Sequence, residues 1–507
     1  MSKGKLLAIC VVWLAIVACG AIAWRLLVVP AQEQQAEAEH QETIATTSGE
    51  SRYDHTINFA LDGFSGYAIL RSNEFRSTLA DDRIRIQLND DRADYAARLS
   101  GLQSGNTQMA AFTIDALIKA SATLGDMPAV IVAIIDETRG ADAMLAGKTV
   151  VPNVASLNRL ETRFVLTPDS PSETLARVVM SEFALDQLPQ DPFIRTNGPA
   201  ETLAKFRESG SETANVFVLW EPFVSEMLSD KSMHVVVDSS SFRGYIVDVI
   251  VANREFLRQK PKTAEKVLAA YFKTAYAYRN KMTDLVLADA KQQKEKLSPE
   301  RAAKLVGGIR WKNTQENFAH FGIHEGETLQ HVEDMITNIT NVLLRTKGIS
   351  ADPTGGQPNR LFFGQMLKDL KDSDFHPALS SEAIASEAIT LPRLSDDEWT
   401  RIREVGELNV QSLAFARGTS SLSGSSHATL DDLVKTLNNW PQYYVKVIGD
   451  ASRRGNVAAN KQLAESRAQV AAEYLVQRGI DTNRVRSEAV DPTGATRVYF
   501  VLGEAPY

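Results

Sequence analysis

The 507-residue chain has only two cysteines, Cys10 and Cys19, both inside its N-terminal apolar segment. Everything beyond that segment is therefore without structural disulfides, cysteine zinc sites or a cysteine nucleophile. Of the eight histidines, only His320 and His324 stand four residues apart. Gly322 between them weakens a helical pairing, so they are expected at the surface rather than on a metal. No Walker loop and no Gly-x-Ser-x-Gly elbow occurs, and no catalytic constellation, metal site or cofactor is expected. A basic balance is also missing. The formal net charge is -8, which argues against a general nucleic-acid binder that must displace counterions from phosphates. What remains is ordinary for chains that bury full cores, at 44% hydrophobic and 23% charged residues, with length for two or three domains.

The N-terminus carries Lys3 and Lys5, then an uncharged apolar run from Leu6 to Trp24, extended after Arg25 by Leu26–Val29. At about 1.5 Å per residue this nearly spans a hydrocarbon core of about 30 Å. By the positive-inside rule, the two lysines place the rest of the chain outside the cytoplasm. The expectation is a single-pass inner-membrane anchor with soluble domains in the periplasm. Two alternatives stay open. Ile16-Val17-Ala18-Cys19 resembles a lipobox, which would make a lipoprotein at Cys19, and a signal peptide could be cleaved outright.

Residues 30–54 are rich in Gln, Glu, Ala, Thr and Ser and read as a flexible tether. From residue 55 strands and helices alternate. Strands are expected around Ile57–Leu61, Ile84–Leu88, Gln108–Phe112, Ala129–Ile135, Arg163–Leu166, Val216–Leu219 and Arg243–Ala252, with one helix over Gly66–Leu79 and others between them. Such alternation implies parallel βαβ units in a doubly wound α/β domain closed by helices. Residues 346–400, with Pro353, Gly355, Gly356 and Pro358, read as a linker holding a short helix. A smaller domain comes next in the order β-α-β-α-β, its first strand expected at Glu407–Phe415 and its long helix at about 458–478.

Open α/β sheets bind ligands beyond the carboxyl ends of their strands. The segments there include Asp62–Tyr67, Thr113–Asp115, Asp136–Asp142, Thr167–Glu173, Trp220–Pro222 and Gly244–Asp248. Asp136-Glu-Thr-Arg-Gly-Ala-Asp142, Val218-Leu-Trp-Glu-Pro222 and Val247-Asp-Val-Ile-Val-Ala-Asn253 followed by Pro261 resemble the NitT/TauT (SsuA-like) periplasmic solute-binding proteins over about residues 55–345. The resemblance implies a two-lobed receptor that closes over a small solute and feeds an ABC-transporter permease. Phe64, Ser65, Tyr67, Asp115, Ser170, Ser172, Trp220, Glu221 and Asp248 are the candidate ligand-binding residues. Ser170 before Pro171, with Glu173 three residues on, is also a good capping box. The several carboxylates around the strand ends would repel an oxyanion, so a neutral or amine-bearing organic solute is expected. A cysteine-rich iron motif, which the thiamine-pyrimidine branch of that family uses, is absent here, and no enzyme activity is expected.

In the second domain, Phe415-Ala-Arg-Gly418, the loop Gly449–Gly455 and Asn460-x-x-Leu-x-x-x-Arg-Ala468 resemble OmpA-type peptidoglycan-associated domains over about residues 405–503. Asn460, Leu463, Arg467, Val470 and Tyr474 share a helix face, and an Arg on a mostly apolar stripe needs an anion from the protein or a ligand. The resemblance implies that a loop Asp and the helix Arg grip a peptidoglycan stem peptide. Arg467 holds the Arg place, but Ser452 stands at the Asp place and Asp450 is the nearest acid. Asp450, Ser452, Asn460 and Arg467 are therefore the candidate wall-binding residues.

The expected class is α/β, with an anchor at 1–29, a tether at 30–54, a two-lobed solute-binding domain at 55–345, a linker at 346–400 and an OmpA-like domain at 401–507. The expected function is an envelope-anchored receptor whose partners are a small organic solute, peptidoglycan, the membrane and a permease. The rival reading is a structural or assembly protein using a ligand-free receptor fold as a protein-binding module.

Overall fold

A computed structural model describes residues 52–324, 329–373, 375–376, 382–384 and 389–506. The expected anchor and most of the tether lie outside the described residues. Among those residues no helix is long and apolar enough to cross a membrane. The described residues fall into two compact units, residues 52–56 with 83–85 in one and those from 57–82 and 86–506 in the other. In the first, Arg83 and Asp54 form an exposed ion pair at 2.9 Å. The second unit holds nearly all of the described chain.

One sheet contains β1 (His55–Leu61), β2 (Ile84–Asp90), β3 (Met109–Thr113), β4 (Ala129–Thr138), β10 (Val247–Asn253) and β11 (Ile309–Trp311), in the order β11-β4-β10-β3-β1-β2. Every residue of β3, β4 and β10 is buried. Strands covered on both faces read as continuous apolar runs, which is why Ala129–Ile135 is recognisable without alternation. The second sheet contains β5 (Asp142–Gly147), β6 (Arg163–Leu166), β7 (Phe193–Arg195), β8 (Asn215–Trp220) and β9 (Met233–Asp238), in the order β7-β6-β8-β5-β9. The chain passes between the sheets twice, at residues 139–141 and 239–246. Two lobes joined by two crossovers result. The sheets are mixed: β1 and β3 are parallel, but β10 runs antiparallel to both β3 and β4.

Helices cover these sheets, among them α1 (Asn73–Asp81), α2 (Tyr95–Gln103), α3 (Ile114–Leu124), α4 (Pro171–Glu182), α5 (Pro199–Ser209), α6 (Pro261–Tyr278), α7 (Met282–Gln292) and α8 (Pro299–Gly307). The single helix expected over Gly66–Leu79 is broken. Ser72 is extended, and its side chain accepts from Phe75 N at 3.1 Å to cap α1. The expected capping box at Ser170 is also absent. Ser170 is the N-cap of α4 but its side chain makes no capping bond; its hydroxyl donates to Thr167 O at 2.7 Å, and the Glu173 carboxylate accepts from Asp169 N at 2.7 Å. His320 is not at the surface: it is buried, with Nδ1 2.6 Å from Gln330 O.

The C-terminal sheet holds β12 (Arg403–Glu407), β13 (Tyr444–Asp450), β14 (Val485–Ala489) and β15 (Arg497–Glu504) in the order β12-β15-β13-β14, with α9 (Gly424–Asn439) and α10 (Val457–Gln477). The first strand thus ends where it was expected to begin. Beyond Glu407 the chain leaves the sheet, and Asn409 N donates instead to Glu182 O of the second lobe at 2.8 Å. Strand β14 was not expected, since its five residues are all half-buried and show no alternation. Gly449 lies so close to α10 that a Cβ there would stand 2.2 Å from Ala464 O. Trp440, fully buried, seals the contact with the two lobes, 5.3 Å edge-on from Phe183 and 5.2 Å from Phe242 in the second crossover.

Candidate functional site: an acidic cleft and a C-terminal arginine

A cleft of about 1000 Å³ opens along the strand ends, a size suited to a small organic ligand. Phe64, Ser65, Tyr67, Ser170, Trp220, Glu221 and Asp248 line it, as expected from the sequence. Asp115 and Ser172 do not. Asp115 lies buried behind the wall, where Thr174 Oγ1 donates to it at 2.6 Å and its other oxygen has no partner. Ser172 is fully buried, and its hydroxyl has no partner either. Asp142, Tyr95, Thr167 and Lys304 also line the cleft, although the sequence does not single them out. Asp142 closes the motif Asp136–Asp142, but that motif holds three acids and nothing in the spacing chooses among them. Tyr95 begins a helix, where an aromatic usually reads as core.

Seven acids and four bases line the cleft, and burial separates them. Arg92, Lys296 and Arg301 are exposed at the rim. Asp62, Asp142, Glu221 and Asp248 are deep. Three of these four are satisfied. Asp62 accepts from buried Arg98 at 3.0 Å. Glu221 pairs with Lys304 at 2.6 Å. Asp248 accepts the Tyr67 hydroxyl. Burial holds Asp248 and its cross-strand neighbour Asp136 above the ordinary carboxylate range; the Asp136 charge pushes Asp248 up further, while Asp248 and Lys312 hold Asp136 back. Asp142 is different: burial, with the nearby Asp115 charge, pushes it up to about 7, and no side-chain partner compensates.

The start of α4 is an unfavourable seat for an anion despite its free amides. Glu173 already occupies it, accepting from Asp169 N at 2.7 Å and from Arg177 Nε at 2.7 Å, with Lys119 Nζ 3.1 Å away. Burial raises the Glu173 pKa, but Lys119 and Arg177 outweigh it and hold the carboxyl ionised below its usual range. An incoming oxyanion would meet a fixed negative charge there.

In the C-terminal domain, the four-stranded sheet and the two helices put the loop after β13 beside the first turns of α10. Residues 414–496 match the OmpA family. The C-terminal domain is OmpA-like. A 73-residue stretch is 34% identical to the peptidoglycan-associated lipoprotein of Rhizobium meliloti (strain 1021), covering 14% of this chain and 42% of that protein. The chain thus spans less than half the length of the curated relatives it matches. The remaining, two-lobed part aligns with the periplasmic aliphatic sulphonate binding protein SsuA from Escherichia coli at TM-score 0.46 and 14% identity, covering 61% of this chain and 92% of that one. It also aligns with a putative periplasmic sulfonate-binding protein SsuA from Methylobacillus flagellatus KT at 0.47 and 10%, covering 63% and 96%.

Within the OmpA-like domain Asp450 is not free to replace the missing loop acid. It is buried and accepts from Thr493 N at 2.9 Å, Ala451 N at 2.7 Å and the Thr493 hydroxyl. Burial raises its pKa, but these bonds prevail and hold it below the usual range. Asn460 is a loop clamp, its amide donating to Ser452 O at 2.9 Å and Arg454 O at 2.8 Å. Ser452 accepts from Arg454 N at 3.1 Å. Arg467 stacks over Phe415 at 4.8 Å and donates Nε to Thr419 O at 2.9 Å. Among the described residues it has no carboxylate partner, so its two terminal nitrogens are available to a ligand. The five residues expected on one face of α10 are all half-buried, at the edge of a stripe formed by Ala464, Ala468, Ala471 and Leu475.

Proposed function

We propose that this protein is a solute receptor of the bacterial envelope, held at the membrane by its N-terminal segment and at the cell wall by its OmpA-like domain. The observation that carries the reading is a ligand-sized cleft with buried, unpartnered polar atoms, in a two-lobed fold that shares one compact unit with the OmpA-like domain. Buried polar groups are ordinarily satisfied. A cleft that leaves them unsatisfied is suited to a polar ligand. The peptidoglycan-associated relatives support the wall contact, with Arg467 as the carboxylate-binding group because a guanidinium fork matches a carboxylate bidentately. A permease is the natural partner of a receptor that delivers its solute. The test has two arms. A thermal-shift screen of small amines, alcohols and oxyanions should find a stabilising ligand, and the protein should sediment with purified sacculi. If no compound stabilises it and Trp220→Ala leaves every property unchanged, the lobes serve as a protein-binding module instead.

A further inference from the structure

We infer that the cleft selects an organic solute through an ammonium group bearing N–H donors, seated against Asp142; the inference rests on the receptor reading and names its ligand class. Asp142 is 3% exposed yet lines the cleft, and its Oδ1 is buried without a hydrogen-bond partner. The other deep acids of the cleft have side-chain partners within the protein: Arg98 for Asp62, Lys304 for Glu221 and the Tyr67 hydroxyl for Asp248. Asp142 is the deep carboxyl of the cleft left without a side-chain partner. Its surroundings suit an amine on an apolar body. Trp220 stands directly opposite on β8 in the β5–β8 pairing and also lines the cleft. Phe64, Tyr67 and Tyr95 supply further aromatic wall, against which a cation is attracted by the ring quadrupole. The Thr167 hydroxyl, also buried and unpartnered in the wall, is a second acceptor. A quaternary ammonium would leave both acceptors unsatisfied, which is why the head must carry N–H groups.

The seat is rigid. Asp142 is the first residue after the first crossover, and Ser239, at the start of the second, ties it down. Ser239 N donates to Asp142 O at 2.9 Å, and Gly140 N donates to Ser239 Oγ at 2.8 Å. A carboxyl fixed where both crossovers meet needs no rearrangement to receive its partner.

The test is calorimetric titration of the purified protein with butyl, cyclohexyl and 2-phenylethyl compounds, each with an ammonium, a hydroxyl or a sulfonate head. On at least one body the ammonium compound should bind at least tenfold more tightly than its alcohol. That preference should vanish in Asp142→Asn, which keeps the shape and removes the charge, with circular dichroism confirming that the variant is folded. Binding led by the sulfonates, or an ammonium preference that survives Asp142→Asn, overturns the Asp142 seat while leaving the receptor reading standing. Binding by no compound of the panel, together with an unchanged melting temperature across the amine, alcohol and oxyanion screen, overturns both.

Discussion

Asp142→Asn also carries a stability prediction whose size comes from the structure. The folded protein raises this carboxyl from 3.8 to about 7, which disfavours the ionised form by about 4 kcal/mol at 1.36 kcal/mol per pKa unit. For a carboxyl raised on folding, the favourable contribution is fully present below the unfolded pKa and is lost as pH rises through the folded one. The wild-type protein therefore loses stability through this residue between about pH 4 and pH 7. Integrating the proton difference from pH 5 to pH 8 gives a loss of about 2.5 kcal/mol. Asparagine has the same outline and no proton to lose, so the variant escapes that loss.

Asp142→Asn should thus gain stability over the wild type as pH rises, by about 2.5 kcal/mol across that range. Unfolding entropy of about 2.1 cal/mol/K per residue over roughly 440 described residues makes 1 kcal/mol worth about 1 °C. The expected divergence of the two melting temperatures is therefore about 2–3 °C between pH 5 and pH 8, readable by differential scanning calorimetry. The other buried acids, Asp136 and Asp248, titrate in both proteins and largely cancel in the difference. The repulsion from the Asp115 charge is one cause of the rise at Asp142 and lies within that figure. A gap that is constant with pH, or one that narrows toward pH 8, would refute the assignment of an unpartnered carboxyl. Retaining such a group against its cost is what a binding site does.

Elsewhere in the molecule, Trp440→Ala should cost about 3–5 kcal/mol in denaturant unfolding, since a fully buried indole is removed between Phe183 and Phe242; a loss under about 1 kcal/mol would show that the contact between the OmpA-like domain and the lobes contributes little. Gly449→Ala should lower stability by about 1–3 kcal/mol, as the new methyl meets Ala464 O, and an unchanged unfolding midpoint would contradict the close approach. Arg467→Lys should reduce sedimentation with sacculi while leaving the domain folded, with a modest loss of stability from the Thr419 O bond and the stack on Phe415; a variant that sediments like the wild type would assign Arg467 a structural role. Intact-mass measurement of the membrane fraction should find residues 6–28 retained, and a chain beginning at a lipidated Cys19 would decide for the lipoprotein.

Seven of the eleven strands described in the lobes were legible because their chemistry is local, whereas β5, β7, β9 and β11 were not expected. Ala129–Ile135 is an apolar run of strand length, and Arg163–Leu166 was placed to the residue. The aromatic and acidic residues at or near strand ends, Phe64, Tyr67, Trp220 and Asp248, could be placed at the cleft because α/β sheets put ligands there whatever the sequence. Positions decided by distant partners were not. Ser170 has the local signature of a capping box, yet its hydroxyl donates to Thr167 O, and Glu173 is held by Asp169 N and by Lys119, 54 residues upstream. The strand expected at Glu407–Phe415 has the right composition, but Glu182 draws the backbone away from the sheet. Asp142 shows the same limit at the site itself. Its neighbours in sequence made it one acid among several. Its importance comes from the partners it lacks, and that became visible only when Arg98, Lys304 and Tyr67 were found satisfying the others. Sequence pattern records where a carboxylate stands, while the tertiary fold decides whether anything answers its charge.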